Sequence, residues 1–247
     1  MSVGQPIRRI GILVAMIGEA RPIVSSLKLP PSMSSDPELK FDSWEGENGD
    51  TEIMVKTLGH DARFGGPKVG PLPTALAAYK LIEEFQPDIF INAGSAAGFS
   101  EKGVQVNEIY LGQGTAGFYD RRGGTSAFVE FCRGDYPILK ASKLAAALNV
   151  KTAKITTGHS FDLEPADLKE IERTQAQIRD MEAAAIGWVA EMKSVPFLPL
   201  KVITDIIGGK IAAEPSKINY WAASETLGKK VFEAIQFLAG RSTSELD

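Results

Sequence analysis

Apolar positions along the chain fall into short continuous runs separated by stretches of helical spacing. Ile7 to Met16 (IRRIGILVAM) is continuously apolar in its second half, which predicts a strand in a sheet covered on both faces. A short helix is expected from Gly18 to Leu27, and the turn-rich Pro30 to Pro37 (PPSMSSDP) reads as an exposed loop. Phe41 to Glu45 and Glu52 to Leu58 predict two strands joined by a turn at Glu47-Asn48-Gly49-Asp50. A glycine-rich loop, Gly59 to Gly70, opens a helix over 72–85, where Leu72, Leu76, Tyr79, Ile82 and Phe85 recur at helical spacing. Asp88 to Asn92 reads as a short buried strand ending in a tight turn, Ala93-Gly94-Ser95-Ala96-Ala97-Gly98, and Val104 to Leu111 as another strand.

Residues 112–137 keep no period; six glycines with Phe118, Tyr119, Phe128, Phe131 and Tyr136 read as a long aromatic-bearing loop, more often functional than decorative. The second half alternates more cleanly. It predicts helix 138–148, strand 150–157, helix 164–174, strand 176–181, helix 182–193, strand 197–205 and a final helix 217–239. That last helix places Trp221, Leu227, Val231, Ile235 and Leu238 near one face and stops at Gly240. The alternation implies an α/β fold: one domain over residues 1–247, with a central mixed or parallel sheet flanked by helices on both sides.

Composition narrows the function classes. The 247 residues fit one large domain, and 27 Lys+Arg against 31 Asp+Glu give a net charge of −4, which argues against a nucleic-acid partner. Cys132 is the only cysteine, so no intrachain disulfide forms and a reducing, cytoplasmic compartment is expected. His60 and His159 are the only histidines, which leaves too few ligands for structural zinc; no metal or cofactor is expected. No run of 18 apolar residues occurs, so no membrane span or membrane partner is expected. Arg8 and Arg9 before Ile10 to Ile17 loosely imitate a secretory signal, but Glu19 and Arg21 interrupt it and a buried strand is the better reading.

In such sheets ligands sit beyond the carboxyl ends of strands. Glu19 follows the first strand, Met181-Glu182 ends strand 176–181, and Thr204-Asp205 ends strand 197–205, so three carboxylates could converge on one pocket. Asp205 closes a strand that is apolar apart from Lys201, where desolvation would raise its pKa and keep it protonated near neutrality. Capping a turn before Gly208-Gly209 is an equal alternative. Glu182 opens a helix apolar on nearly every side, where the helix dipole favours its ionised form; dipole complementation alone is the plainer reading. Two carboxyls pushed in opposite directions mark an acid and a charge stabiliser in one site. Taken alone, Glu19 reads as an exposed helix residue, Ser95 as part of a turn presenting backbone N–H groups, and Met16, Met181 and Phe161 as core or pocket lining.

Gly112-Gln113-Gly114-Thr115-Ala116-Gly117 matches a dinucleotide fingerprint literally, but the paired Gly123-Gly124 break the helix it needs. Gly65-Gly66-Pro67-Lys68 lacks the spacing and the Ser/Thr of a phosphate-binding P-loop.

Five words in order do carry a resemblance. They are Ala15-Met16-Ile17-Gly18-Glu19-Ala20, Ile91-Asn92-Ala93-Gly94-Ser95-Ala96-Ala97-Gly98, Thr157-Gly158-His159-Ser160-Phe161-Asp162, Asp180-Met181-Glu182-Ala183-Ala184-Ala185 and Lys201-Val202-Ile203-Thr204-Asp205. Spread over residues 10–238, they resemble the nucleoside phosphorylase and nucleosidase superfamily, and within it the plant-type 5′-methylthioadenosine/S-adenosylhomocysteine nucleosidase family. The resemblance implies a small nucleoside as partner, no cofactor, and a homodimer. It makes Asp205 the acid that protonates N7 of adenine, Glu19 the group that activates water, and Glu182 the holder of the ribose hydroxyls. Met181 and Met16 would pack around the sugar, Phe161 would stack on adenine, the backbone near Asp162 would read its edge, and Ser95 would complete the wall behind Asp205.

Two departures stand out. Position 159 is His where the family commonly has Asp, and residues 112–137 match poorly where the family shapes a 5′ pocket partly across a dimer interface. There Phe128 and Phe131 are candidate wall residues, with plain packing an equal reading. Phosphorolysis on the same fold is the nearest rival reaction, disfavoured by Asn92 in place of an Arg and by Glu19 where phosphate would sit. A storage or nucleoside-binding protein on the same scaffold is the alternative of another class.

Overall fold

The computed structural model describes residues 4–32, 38–208 and 217–247; residues 33–37 of the expected surface loop and Gly209 of the expected turn lie outside them. The first half runs β1 (Arg9–Val14), α1 (Ile17–Leu27), β2 (Ser43–Asn48), β3 (Thr51–Thr57), the small pair β4 (His60–Asp61) and β5 (Gly66–Pro67), α2 (Pro71–Phe85) and β6 (Ile89–Phe99). It continues through β7 (Ile109–Phe118), α3 (Ser126–Arg133), β8 (Tyr136–Pro137), α4 (Ser142–Leu148) and β9 (Lys151–Thr157). The last elements are α5 (Pro165–Thr174), β10 (Ile178–Asp180), α6 (Ala183–Met192), β11 (Phe197–Ile207) and α7 (Lys217–Leu238).

Among the described residues, nine strands form one mixed sheet in the order β10-β9-β7-β11-β6-β1-β3-β2, with β8 added to β7. Pairing is parallel for β1 with β3 and β6, and for β11 with β6, because each crossover carries a helix. β10 bonds β9 in parallel and also bonds the far half of β6 antiparallel, Ile178 opposite Gly98, so β6, β11, β7, β9 and β10 close into a ring. Helices α1, α4 and α7 pack together on one face, and α2 and α6 pair on the other. Ile10, Ile12 and Val14 of β1, Ile89 to Ile91 of β6 and Leu198 to Ile203 of β11 are buried from both sides, which is why their sequences read as continuous apolar runs. Among the described residues, no helix is long and apolar enough to cross a membrane.

Four local expectations are corrected. Ala93 to Gly98 is not a turn but the second half of β6, an 11-residue strand. Gly98 marks close approach rather than chain reversal: a Cβ there would stand 2.2 Å from Val104 Cγ1. Val104 to Leu111 is mostly loop, and β7 instead runs from Ile109 through the Gly-x-Gly-x-x-Gly sequence, which therefore forms sheet and opens no helix. A bulge in β7 against β9, between Gly112 and Ala116, accommodates its glycine at position 114 (φ +75°). The stretch 112–137 is accordingly structured, with α3 and β8 folded back so that Tyr136 meets Phe118 edge-on at 6.4 Å. Residues 138–141 stay extended because Ile138 and Leu139 donate to Gly114 and Phe197 carbonyls, so α4 starts at Ser142.

Trp221 does not join the buried face of α7; it is 51% exposed, whereas Leu227, Val231, Ile235 and Leu238 are fully buried. Its six-residue separation from Leu227 rotates it about 120° off that face at 3.6 residues per turn.

Candidate active site

The carboxyl ends of β1, β6, β10 and β11 surround a cavity of about 490 Å³. Eight of the nine residues expected at a site line it: Met16, Glu19, Ser95, Phe161, Asp162, Met181, Glu182 and Asp205. Phe128 does not. It lies on α3, 53% exposed and stacked on Phe131.

Glu19 is buried rather than exposed, with 1% of its surface accessible. It sits in the first turn of α1, where its carboxylate accepts the Met16 N–H at 3.3 Å and the Ser95 N–H at 2.8 Å. The second bond crosses from helix to β6 and satisfies a charge that would otherwise be costly to bury. Ser95 contributes through its backbone, as a donor to Glu19. Gly94 beside it lies between the two charged groups: a Cβ there would meet Lys201 Nζ at 3.6 Å and Glu19 Oε2 at 3.7 Å, ordinary van der Waals distances.

Opposite Glu19 is an ion pair that sequence reasoning did not single out. Lys201 Nζ lies 2.8 Å from Asp180 Oδ2, and both side chains are almost fully removed from water. Asp180 also accepts the Thr157 hydroxyl at 2.6 Å and the Ala183 N–H at 2.9 Å, which caps α6 and fixes the carboxylate. Burial pulls the Lys201 ammonium toward neutrality, but Asp180, Glu182 and Glu19 outweigh it and hold its pKa above the ordinary value. The signal was present: Lys201 is the one charge before Asp205 in an otherwise apolar strand.

Glu182 sits at the N-cap of α6 and accepts the Gly70 N–H at 3.2 Å. The helix dipole does not keep it ionised as expected. Burial pushes its carboxyl up to about 7; Lys201 opposes that shift, and the charges of Asp180 and Glu19 add to it. The folded protein therefore holds this proton more tightly than the unfolded chain does, and the stability it confers is full below 4.5 and lost as pH rises through about 7. The gap corresponds to something on the order of 3 kcal/mol. Glu182→Gln should flatten the fall in urea-unfolding stability between pH 5 and pH 8. A slope equal to that of the parent protein would show that this carboxyl does not titrate there.

Asp205 is half-buried, not sealed in apolar surroundings, and accepts the Thr204 hydroxyl at 2.7 Å. Pairing of β11 with β6 slips between Ile203 and Asp205, leaving Thr204 as an extra residue. This bulge brings Thr204 and Asp205 both to the cavity, where strict alternation would present only one. Asp205 then stands opposite Ala97, two residues along β6 from Ser95. The side chain caps no helix among the described residues.

Phe161 projects at the rim, 76% exposed, on the loop between β9 and α5. That loop is tied down by Arg179, a buried residue that reasoning from sequence also missed. Its guanidinium donates to the Phe161 carbonyl, and to the Tyr119 hydroxyl at 3.0 Å. Asn92 is buried and bonds the Leu13 carbonyl instead of facing the cavity.

A mixed sheet closed on one side, with acidic groups at its strand ends, defines a class of protein. The chain belongs to the phosphorylase superfamily, whose family model matches residues 9–236. It is 32% identical to the 5′-methylthioadenosine/S-adenosylhomocysteine nucleosidase of Arabidopsis thaliana, over 98% of this chain and 96% of that protein. It is 31% identical to the 5′-methylthioadenosine nucleosidase of the same plant, over 98% of this chain and 91% of the relative. The apo structure of that second enzyme superposes with a TM-score of 0.94, covering 98% of this chain and 100% of the other.

Proposed function

We propose that this chain hydrolyses the N-glycosidic bond of 5′-methylthioadenosine, giving adenine and a 5-thioribose product as in methionine salvage. The observation that carries this is the gathering of Glu19, Glu182 and Asp205 around one cavity, with Lys201 and Asp180 beneath them.

Adenine lies between Phe161 and Asp205, and the sugar over Met181 and Glu182, with Met16 alongside. A bound purine displaces water from around the Asp205 carboxyl. As the N9–C1′ bond breaks, its electron pair passes to the purine and Asp205 gives N7 a proton. The sugar is left short of electrons at C1′. Glu182 accepts from the ribose hydroxyls, and the negative floor of the cavity favours the developing positive charge. Glu19, with two lone-pair sites taken by Met16 and Ser95 N–H groups, keeps others for a water and takes its proton as it attacks C1′. Attack from the face opposite the leaving purine inverts C1′.

Two rival readings separate in one assay. Phosphorolysis needs donors for phosphate, but Lys201 is committed to Asp180, Asn92 is turned away, and Glu19 occupies the approach. Purified protein is expected to release adenine in phosphate-free buffer, monitored by chromatography of the products. Strict dependence on phosphate, with a sugar 1-phosphate formed, would establish the phosphorylase instead. No turnover under either condition would favour a storage or binding protein.

We place the chain in the cytoplasm, a reading supported by Cys132, a free thiol buried in the fold. Two copies associate in this reading. The adjoining helices α2 and α6 expose Leu76, Tyr79, Trp188 and Met192, an apolar set whose burial a second copy would provide. Sedimentation velocity should give twice the chain mass, and a monomer at micromolar concentration would overturn the dimer.

A further inference from the structure

Three cationic side chains are buried among the described residues: Lys56, Lys201 and Arg179. Two of them meet a carboxylate, Lys56 on Glu84 at 2.6 Å and Lys201 on Asp180 at 2.8 Å. Arg179 forms no such pair among the described residues. Asp180, its neighbour in sequence, is committed to Lys201, and Asp167 is committed to Arg122. A buried cation without an anion is costly and persists only where dipoles meet it.

The dipoles belong to one segment. Arg179 donates to the Phe161 carbonyl, to the Asp162 carbonyl at 3.5 Å and to the Tyr119 hydroxyl at 3.0 Å. That hydroxyl in turn donates to the Ser160 carbonyl at 3.4 Å. Three successive carbonyls, 160 to 162, are thus turned toward one buried pair. In a trans peptide the C=O and the following N–H lie on opposite edges of one plane. The N–H groups of Phe161, Asp162 and Leu163 therefore point away from that pair, and none has a hydrogen-bond partner among the described residues. All three residues line the nucleoside cavity. A guanidinium held on a peptide oxygen also polarises that peptide and strengthens its N–H as a donor.

The sheet gives this charge a direction. Arg179 stands opposite Ala97 of β6, and Ala97 stands opposite Asp205 of β11, so the three share one row across the strands. The base end of the cavity holds a cation with no carboxylate on it. The sugar end holds Glu19 and Glu182, with Lys201 spent on Asp180. Cleavage moves an electron pair from C1′ onto the purine, away from the acidic end and toward the cationic one.

We propose that Arg179 is a positioning residue for the leaving purine. It orients and polarises the 161–162 peptide so that the Asp162 N–H donates to a ring nitrogen of the base. The pair from the N9–C1′ bond still ends on the purine and the proton still comes from Asp205; the amide shares the negative charge carried between those two events. Its bond to the base strengthens as that charge develops, so it lowers the barrier more than it tightens binding. The inference rests on the nucleosidase reading above and adds a residue to its leaving-group side.

The test measures single-turnover rates on the intact protein for 5′-methylthioadenosine and for its 2-fluoroadenine analogue, whose electron-poor base departs with less help. Arg179→Met is expected to slow methylthioadenosine cleavage about 10- to 100-fold, the loss of one charge-assisted hydrogen bond, with half-saturation changed less than about threefold. The fluorinated substrate should slow less, so that the ratio of its rate to that of methylthioadenosine rises about threefold or more. A ratio of two rates on one preparation is independent of how much of it is folded, and purely structural damage slows both substrates alike. Arg179→Lys keeps the charge but cannot hold two carbonyls at once; it should move the ratio the same way by less, and it carries the test if the Met variant does not fold. A ratio equal to that of the unmutated protein in the variants that fold would overturn the proposal, as would weaker binding with the rate unchanged. An unmutated protein that cleaves neither nucleoside would instead remove the nucleosidase reading beneath it.

Discussion

Replacing Asp205 by Asn is expected to lower kcat for adenine release by about 10²–10⁴-fold, the usual worth of a positioned general acid. The fold should be untouched. Asp205 is half-buried, and its one hydrogen bond among the described residues comes from the Thr204 hydroxyl, which an Asn carbonyl can accept equally well. KM should change little, because the proton matters only as the N9–C1′ bond gives way. Circular dichroism and thermal unfolding of the variant would confirm an intact fold beside the kinetics. Wild-type turnover in a folded Asp205→Asn protein would remove this carboxyl from the chemistry and leave the leaving group without a proton source.

The second large effect is on stability. Lys201→Met should destabilise the protein by about 3–5 kcal/mol, the cost of leaving a buried carboxylate without its partner. For a chain of this length that is a fall in melting temperature of about 6–20 °C. Asp180 would keep its bonds from Thr157 and Ala183, but Glu182 and Glu19 would then face it with no cation between them. Adding Asp180→Asn should recover much of the loss, because a neutral amide removes the charge that Lys201 had been balancing. A double-mutant cycle by urea unfolding reads this coupling directly. A single-mutant loss below about 1 kcal/mol would show that Lys201 and Asp180 are solvated and contribute as a surface pair does.

The alternation of strand and helix made the fold class legible, because sheets covered on both faces need unbroken apolar strands. The five strand-end words hold Met16, Ser95, Phe161, Met181, Glu182 and Asp205, all of which line the cavity. Other features were beyond the reach of local pattern. Periodicity reports which face of an element is buried but not what lies across from it, so the Lys201–Asp180 pair and the Glu19–Ser95 bond, both formed across elements, were hidden. Glycine serves both in turns and where neighbours crowd the chain, and sequence does not say that Gly98 is there to admit the Val104 side chain. The bulge at Thr204 left no trace in sequence, yet it decides how Asp205 meets the cavity. The electrostatic roles of Glu182 and Asp205 depended on enclosure, which only three-dimensional packing sets. Glu182 is the enclosed one.

The double bonding of β10, to β9 and to β6, has a mechanical consequence. An open sheet can flex at an edge and let a pocket widen, but a hoop of strands stiffens every member that belongs to it. Asp180, Lys201 and Ser95 ride on three members of that hoop, so the polar base of the cavity behaves as a rigid plate. Adjustment to substrates of different bulk then falls to parts outside the hoop, above all the exposed Phe161 side chain at the rim.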